Sequence, residues 1–233
     1  MLMFNRKMKD VNILAVTAHD DPKSFVAALH NTALGVLERA GHTVEITDLY
    51  AGGFNPIASS LDFEVKSVSH ANYMFEQQRT VNTGSGFSPD IKTEMAKVSN
   101  AELVIFHFPL WWGNQPAILK GWFDRVFAMG FAWGPDHRFA TGLLRGKRAL
   151  VTVTAGDPLS YYSSEGMYKA SIEQHLYSLL HGTLAFCGMD VLKPCIIANT
   201  TAASKEELEA GVVHYRKFLE SIDTSSTFIY KHS

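Results

Sequence analysis

The chain has 233 residues, 46% of them hydrophobic, and its 21 Lys and Arg against 23 Asp and Glu give a formal net charge of -2. That length supports one sizeable core, while the absence of a basic cluster leaves no electrostatic footprint for nucleic acid. Two cysteines, Cys187 and Cys195, are too few for a disulfide framework or a cysteine-rich metal site and fit reduced thiols in a cytoplasmic protein. No apolar run is long enough to span a bilayer, and the opening MLMFNRKMKD lacks the apolar stretch of a signal peptide.

In chain order, VNILAVT (11–17) is short, nearly unbroken and β-branched, the pattern of a strand covered on both faces. Phe25, Ala28, Leu29, Thr32, Ala33, Val36, Leu37 and Ala40 then form a mostly apolar helical stripe ending at Gly41. HTVEITDLY is a more polar strand, expected at an edge. Residues 51–87 break the alternation and, rich in Gly, Ser and Asn, read as a long surface excursion. Ser88 and Pro89 supply an N-cap and a first-turn proline for a helix to about residue 99. LVIFHF (103–108) is a central strand. Pro116 opens a helix that buries Ile118, Leu119, Trp122, Phe123, Val126 and Phe127. KRALVTV (147–153) is the fourth strand, and Ile172, Leu176, Leu179, Leu180 and Leu184 mark a helix ending near Gly188. VLKPCIIA (191–198) is the fifth strand, placed at an edge by Pro194. A capping box of Ser204 and Glu207 starts a last helix lined by Leu208, Val212, Tyr215, Leu219 and Ile222.

Strands alternating with helices imply an α/β fold: a five-stranded parallel sheet with right-handed crossovers and helices on both faces. The two edge assignments fit the flavodoxin-like order 2-1-3-4-5. One domain over 1–233 is expected, with 1–10 and 223–233 as terminal extensions. In such a sheet ligands bind beyond the carboxyl ends of the strands, near the point where strand order reverses. The loops there are AHDDPKSF (18–25), PLWWGNQP (109–116) and AGDPLSYYSSEG (155–166).

Each loop has two readings. Ser24 opens a helix, where a hydroxyl and free amides suit a phosphate; it can equally be a simple N-cap, with His19 a solvated turn residue. Neither G-x-G-x-x-G nor G-x-x-x-x-G-K-[ST] follows the first strand, which disfavours a dinucleotide site of Rossmann type and excludes a P-loop. Trp111 and Trp112 suit a flat ligand, core packing or a partner interface. Gly156, Tyr161 and Tyr162 can approach and hydrogen-bond a polar ring edge, or form an ordinary turn. His175 and His181, six residues apart, do not share a helical face as ligands at i, i+4 do, so no metal site is expected and both read as helix-surface histidines. Cys187, at an apolar helix end, and Cys195, after a proline in a strand, do not read as nucleophiles.

FPLWWGNQPAILKGWFDRVF, ALVTVTAGDPLSYYSSEGM and HGTLAFCGMDVLKP resemble the NAD(P)H:quinone oxidoreductase family, the DT-diaphorase-like flavoproteins, and the likeness runs over about residues 12 to 221. The resemblance implies a flavodoxin-fold homodimer with FAD (FMN as the alternative) at the interface, passing hydride from NADH or NADPH through flavin N5 to a quinone. By position, His19, Ser24, Phe25 and Val26 would line the flavin's phosphate and ribityl region. Pro109, Leu110, Trp111 and Trp112 would follow its ring, and Thr154, Ala155, Gly156 and Asp157 its polar edge. Tyr162 matches a tyrosine that stabilises the reduced flavin's charge. Trp112, Ala132, Trp133, Gly134 and Gly156 would border the substrate slot, with Phe186 contributed by the other subunit. The catalytic partner of Tyr162, a histidine in mammalian members, falls at Tyr168; a phenol with a pKa near ~10 does not readily become cationic. Asp157 stands where a second glycine usually follows, and Leu208 near an arginine that holds the adenine end. Two other functions share these features: a related azo or nitro reductase, and an ancillary flavoprotein subunit of a potassium-efflux transporter, which would need a docking surface on 51–87 or the C-terminal tail.

Overall fold

The computed structural model of the protein describes residues 10–65, 72–222 and 228–231. Its sheet has the order β2-β1-β3-β4-β5, with β1 Asn12–Thr17, β2 Thr43–Asp48, β3 Leu103–Pro109, β4 Arg148–Thr154 and β5 Asp190–Leu192, all parallel. The expected order is therefore present. β3 is buried at every position, which explains its unbroken apolar run, whereas β2, paired only with β1, is largely exposed.

The fifth strand differs from the expected single element. Pro194 has no amide to donate, and the run divides around it into β5 and β6 (Cys195–Ile197), both paired with β4. The C-terminal tail is also more than an extension: β7 (Phe228–Tyr230) pairs antiparallel with β5 and covers that part of the edge. Residues 1–9, 223–227 and 232–233 of the expected extensions lie outside the described residues.

The 51–87 segment is corrected further. It carries helix α2 (Tyr73–Thr83), capped at its start by the Asn72 side chain and closed at Gly84 in the left-handed conformation (φ 65°). Gln77 fixes it to the fold: its Nε2 donates to the Asp124 carbonyl at 3.0 Å, and its Oε1 accepts from the Met129 amide at 3.2 Å.

Helix α1 (Phe25–Arg39) and the last helix, α7 (Lys205–Glu220), cover one face of the sheet, together with Ile13, Leu103, Ile105 and Tyr215. α3 (Pro89–Asn100) and α4 (Ala117–Val126) lie on the other face, where Phe106, Trp122, Phe123 and Phe127 form an aromatic cluster. The capping box of α7 is formed: Ser204 Oγ accepts from the Glu207 amide at 3.2 Å, and Glu207 answers the Ser204 amide at 2.7 Å. Ser88, by contrast, makes no side-chain cap for α3 and gives its hydroxyl to Asp90 instead. The predicted long helix is helical in pieces, α5 (Ile172–His175) and α6 (Tyr177–Leu179), followed by a π-helical turn, Leu180–Ala185. Phe186 N–H reaches back to the His181 carbonyl at 3.0 Å in this turn. Such π-turns occur often at functional sites. No helix among the described residues is long and apolar enough to cross a membrane.

Candidate active site

The three loops converge at the carboxyl edge of the sheet. After β1, Ser24 Oγ accepts from the Ala27 amide at 3.1 Å, so the hydroxyl is the N-cap of α1. The amides of Phe25 and Val26 belong to the first turn, where no intrahelical partner exists, and they offer donors to an anion. The Phe25 and Val26 side chains turn inward, Val26 into the core and Phe25 toward α7 at Gly211. His19 Nδ1 accepts from the Asp21 amide at 3.0 Å, which holds the ring against Trp111, 6.2 Å between centroids.

The second loop begins as Leu110 N–H donates to the Thr154 carbonyl at 2.8 Å, fixing it to β4. Trp111 N–H then donates to the Asn114 carbonyl at 2.9 Å, and the Asn114 amide returns a bond to Trp111 at 3.0 Å. Between them Trp112 and Gly113 both take positive φ, 52° and 72°. This is the tight turn geometry that normally selects Asn-Gly. A bulky residue at positive φ costs of order 1–3 kcal/mol, and here it thrusts the indole fully into solvent, at 104% relative exposure against 43% for Trp111. Strain spent on presenting an aromatic surface is a functional signal.

The third loop carries Tyr162, whose ring stacks on Tyr168 at 4.7 Å and 29°. Tyr168 donates its hydroxyl to Asp157 Oδ2, and Asp157 holds its own backbone against the Asn199 amide at 2.8 Å. Burial, followed by the Asp157 charge, raises the Tyr162 phenol. Tyr168 is pushed up to about 12, chiefly by its bond to Asp157. Gly156 lies close to a neighbour: a Cβ there would stand 2.6 Å from Thr201 Oγ1, on the loop after β6, and would make that hydroxyl turn away.

His175 corrects the sequence reading. Rather than lying on a helix surface, it is half-buried, its ring perpendicular to both Tyr162 and Tyr168 (5.9 and 6.2 Å). Its Nδ1 would lie 2.8 Å from a Cβ on Gly113, and its Nε2 is buried without a hydrogen-bond partner. It therefore joins the second loop to the third. Nothing in its local sequence signalled this, because Gly113 and Tyr162 approach it only through the fold. His181 is likewise packed, against Tyr177, Phe139 and Tyr230.

Of the residues expected at a substrate slot, Trp133 and Phe186 meet at 5.5 Å, with Phe139 completing the group. Trp133 and Phe186, with Phe123, Phe127 and Thr183, line a cavity of about 280 Å³. Ala132 is wholly within the core and Gly134 is buried in a turn with His137. Among the described residues no ring contact joins this group to Tyr162, Tyr168 and His175. The described His, Cys, Asp and Glu residues form no cluster of three suited to a metal. Cys187 and Cys195 are free and buried, and burial pushes both thiols up to about 12, away from nucleophilic reactivity.

Comparison with known proteins shows the fold and the family. The Flavodoxin-like fold family matches residues 11–219. A human ribosyldihydronicotinamide dehydrogenase [quinone] is 41% identical over 217 residues, covering 92% of this chain and 93% of the relative. The chain belongs to the NAD(P)H:quinone oxidoreductase family. Another member, the guinea-pig NAD(P)H dehydrogenase [quinone] 1 (Cavia porcellus), is 38% identical over 213 residues, covering 90% of this chain and 76% of the relative. Among solved structures, a candidate quinone reductase from Klebsiella pneumoniae superposes with a TM-score of 0.89 at 32% identity, covering 94% and 87% of the two chains. Trp112, Tyr162 and the first-turn amides of α1 all stand on loops at the carboxyl edge of the sheet, where they offer an exposed aromatic surface and anion donors.

Proposed function

We propose that the chain is a flavin-dependent NAD(P)H:quinone oxidoreductase that reduces a quinone by two electrons in ping-pong turnover. The observation that carries this reading is Trp112, strained at φ 52° and fully exposed on the loop after β3, whose Trp111 meets His19 of the loop that leads into α1. The residues fit a flavin: the first-turn amides of α1 suit its phosphate, the Leu110–Trp112 backbone its ring, and Tyr162 a polar ring edge. When bound, the flavin supplies the two-electron redox chemistry. The protein's part is to orient donor and acceptor in turn against the indole of Trp112, and to hold the Tyr162 proton where negative charge develops.

FAD is the proposed form, with FMN the alternative. We also propose a cytoplasmic homodimer. Among the described residues no ring contact joins the Trp133–Phe186 group to Tyr162, Tyr168 and His175, which leaves room for a second copy to complete the site. The donor is NADH or NADPH; the 41% identical relative named for ribosyldihydronicotinamide favours testing that smaller donor beside them. The protein should purify yellow, bleach with one of these donors in the absence of air, and regain colour with a quinone. A colourless protein that gains no quinone reductase activity from added FAD or FMN would sink the proposal. Rates on one quinone, one azo dye and one nitroaromatic then rank the acceptors.

The two tryptophans should separate in the same assay. Trp112→Ala removes only an exposed surface, so quinone turnover should fall about tenfold, the worth of a well-placed aromatic contact, with flavin retained. Trp111 acts through its backbone pair with Asn114 and its contact with His19, so Trp111→Ala should cost less turnover. Equal losses in the two variants would remove the assigned division of roles.

A further inference from the structure

The third loop contains a carboxylate whose placement the reading above does not use. We propose that Asp157 is a positioning residue: through the Tyr168 hydroxyl it locks the Tyr162–Tyr168 stack, and it keeps a fixed negative charge at the edge where Tyr162 meets the bound ring system. The lock follows from geometry alone. Asp157 is anchored by the Asn199 amide on its carbonyl, so its carboxylate projects from a loop tied to the segment after β6. Tyr168 is tied at both ends, its amide to the Tyr161 carbonyl at 3.0 Å and its hydroxyl to Asp157. His175 then abuts both stacked rings, perpendicular to each, and supports the Tyr162–Tyr168 pair from one side. A charge-assisted bond of this kind is about twice as strong as a neutral one. The acceptor role also fixes protonation, since a carboxylate that accepts from one phenol and faces another disfavours ionisation of both.

The charge has a second effect, which rests on the flavin reading above. A carboxylate near the ring's polar edge opposes negative charge arriving there on reduction. The site therefore holds the reduced cofactor less tightly, relative to the oxidised one, than the same site with a neutral side chain at 157.

Two measurements on Asp157→Asn test the proposal. In flavin-free protein carrying ¹³C-labelled tyrosine, with the Tyr168 signal assigned by its loss in Tyr168→Phe, the unaltered chain should keep Tyr168 protonated from pH 9 to 11. Asp157→Asn should bring its ionisation down toward about 10, with a shift of the Tyr162 signal through the stack. In the flavin-loaded protein, the ratio of affinities for reduced over oxidised flavin should rise about tenfold, an upward shift near 30 mV for two electrons. Asp157→Glu should keep the lower potential. Simple structural damage weakens both oxidation states alike and leaves the ratio where it was. An unchanged Tyr168 titration overturns the lock, and an unchanged potential overturns the charge effect. Failure of the unaltered protein to bind FAD or FMN sinks the flavin reading and the charge effect with it, while the titration in flavin-free protein still decides the lock.

Discussion

Arg125→Met should lower the unfolding free energy by about 3–5 kcal/mol, the cost of removing one partner from a buried ion pair, read from urea unfolding at pH 7. Arg125 lies on α4 and is only 2% exposed. Its guanidinium donates to Asp62 through Nε at 3.2 Å and Nη2 at 2.9 Å, while Nη1 reaches Asp90 at 2.7 Å and the Asn55 carbonyl at 2.8 Å. The plane also lies over the Phe54 ring, 5.0 Å from its centroid. Asp62 is equally buried and accepts from the Tyr73 hydroxyl at 2.6 Å. One side chain thus ties residues 54–62, α2 and α3 to α4. Met matches the stem but strands the Asp62 charge. Arg125→Lys should recover only part of the loss, because a single ammonium cannot serve three acceptors in a planar fork. Adding Asp62→Asn to Arg125→Met should restore stability relative to Arg125→Met alone, since it removes the stranded charge. A loss below 1 kcal/mol for Arg125→Met would mean that the segment is held by its apolar contacts alone.

That network also shows why the sheet was legible in the sequence and the 51–87 segment was not. Leu103 to Phe108 is covered on both faces, so its burial appears as an unbroken apolar run, and β2 is polar because one side has no neighbour. In α2 the buried residues are Gln77 and Thr80, and Gln77 is accommodated by hydrogen bonds rather than by its apolar surface. Hydrophobic periodicity cannot register such a helix. Its Asn72 cap and left-handed Gly84 were the readable signals. β7 is three residues long and exists through its pairing with β5, a non-local fact. At the site, loop positions followed from topology, and the family motifs named His19, Trp111, Tyr162 and Tyr168; the contacts of His19 with Trp111 and of Tyr162 with Tyr168 are set by the fold. The part played by His175 depends on Gly113 leaving room for its ring, and no spacing rule contains that information.

Acidification from pH 7 to 5.5 should destabilise the protein steeply, by up to about 1.4 kcal/mol per pH unit for each of two histidines. The origin is a polar chain buried beneath β3 and β4. Thr152 donates to the Tyr215 hydroxyl at 3.0 Å, and Tyr215 contacts His107 Nε2 at 2.9 Å. His107 Nδ1 faces His30 Nδ1 at 3.4 Å. In either direction of the chain, Tyr215 to His107 to His30 or the reverse, one proton lies between the two Nδ1 atoms and both imidazoles are neutral. A proton added to either imidazole places a charge out of reach of water, where His107 is 1% and His30 6% exposed. Burial lowers both histidines, most strongly His107, where a charge on His30 adds to the effect; Asp48 offsets part of it at His30. The sign follows. The unfolded chain takes up these protons near pH 6.5 and the folded chain does so only at lower pH, so the stabilisation is complete above that pH and is lost as pH falls below it. Carboxylates contribute mainly below about pH 5, which leaves the upper window to the histidines. His107→Gln keeps a polar side chain that cannot charge, and should flatten the dependence of the urea midpoint on pH between 7 and 5.5. An unaltered slope in that variant would place the acid sensitivity elsewhere. Because α1 supplies both His30 and the first-turn amides of the candidate site, the same titration should loosen flavin binding in step with the fold.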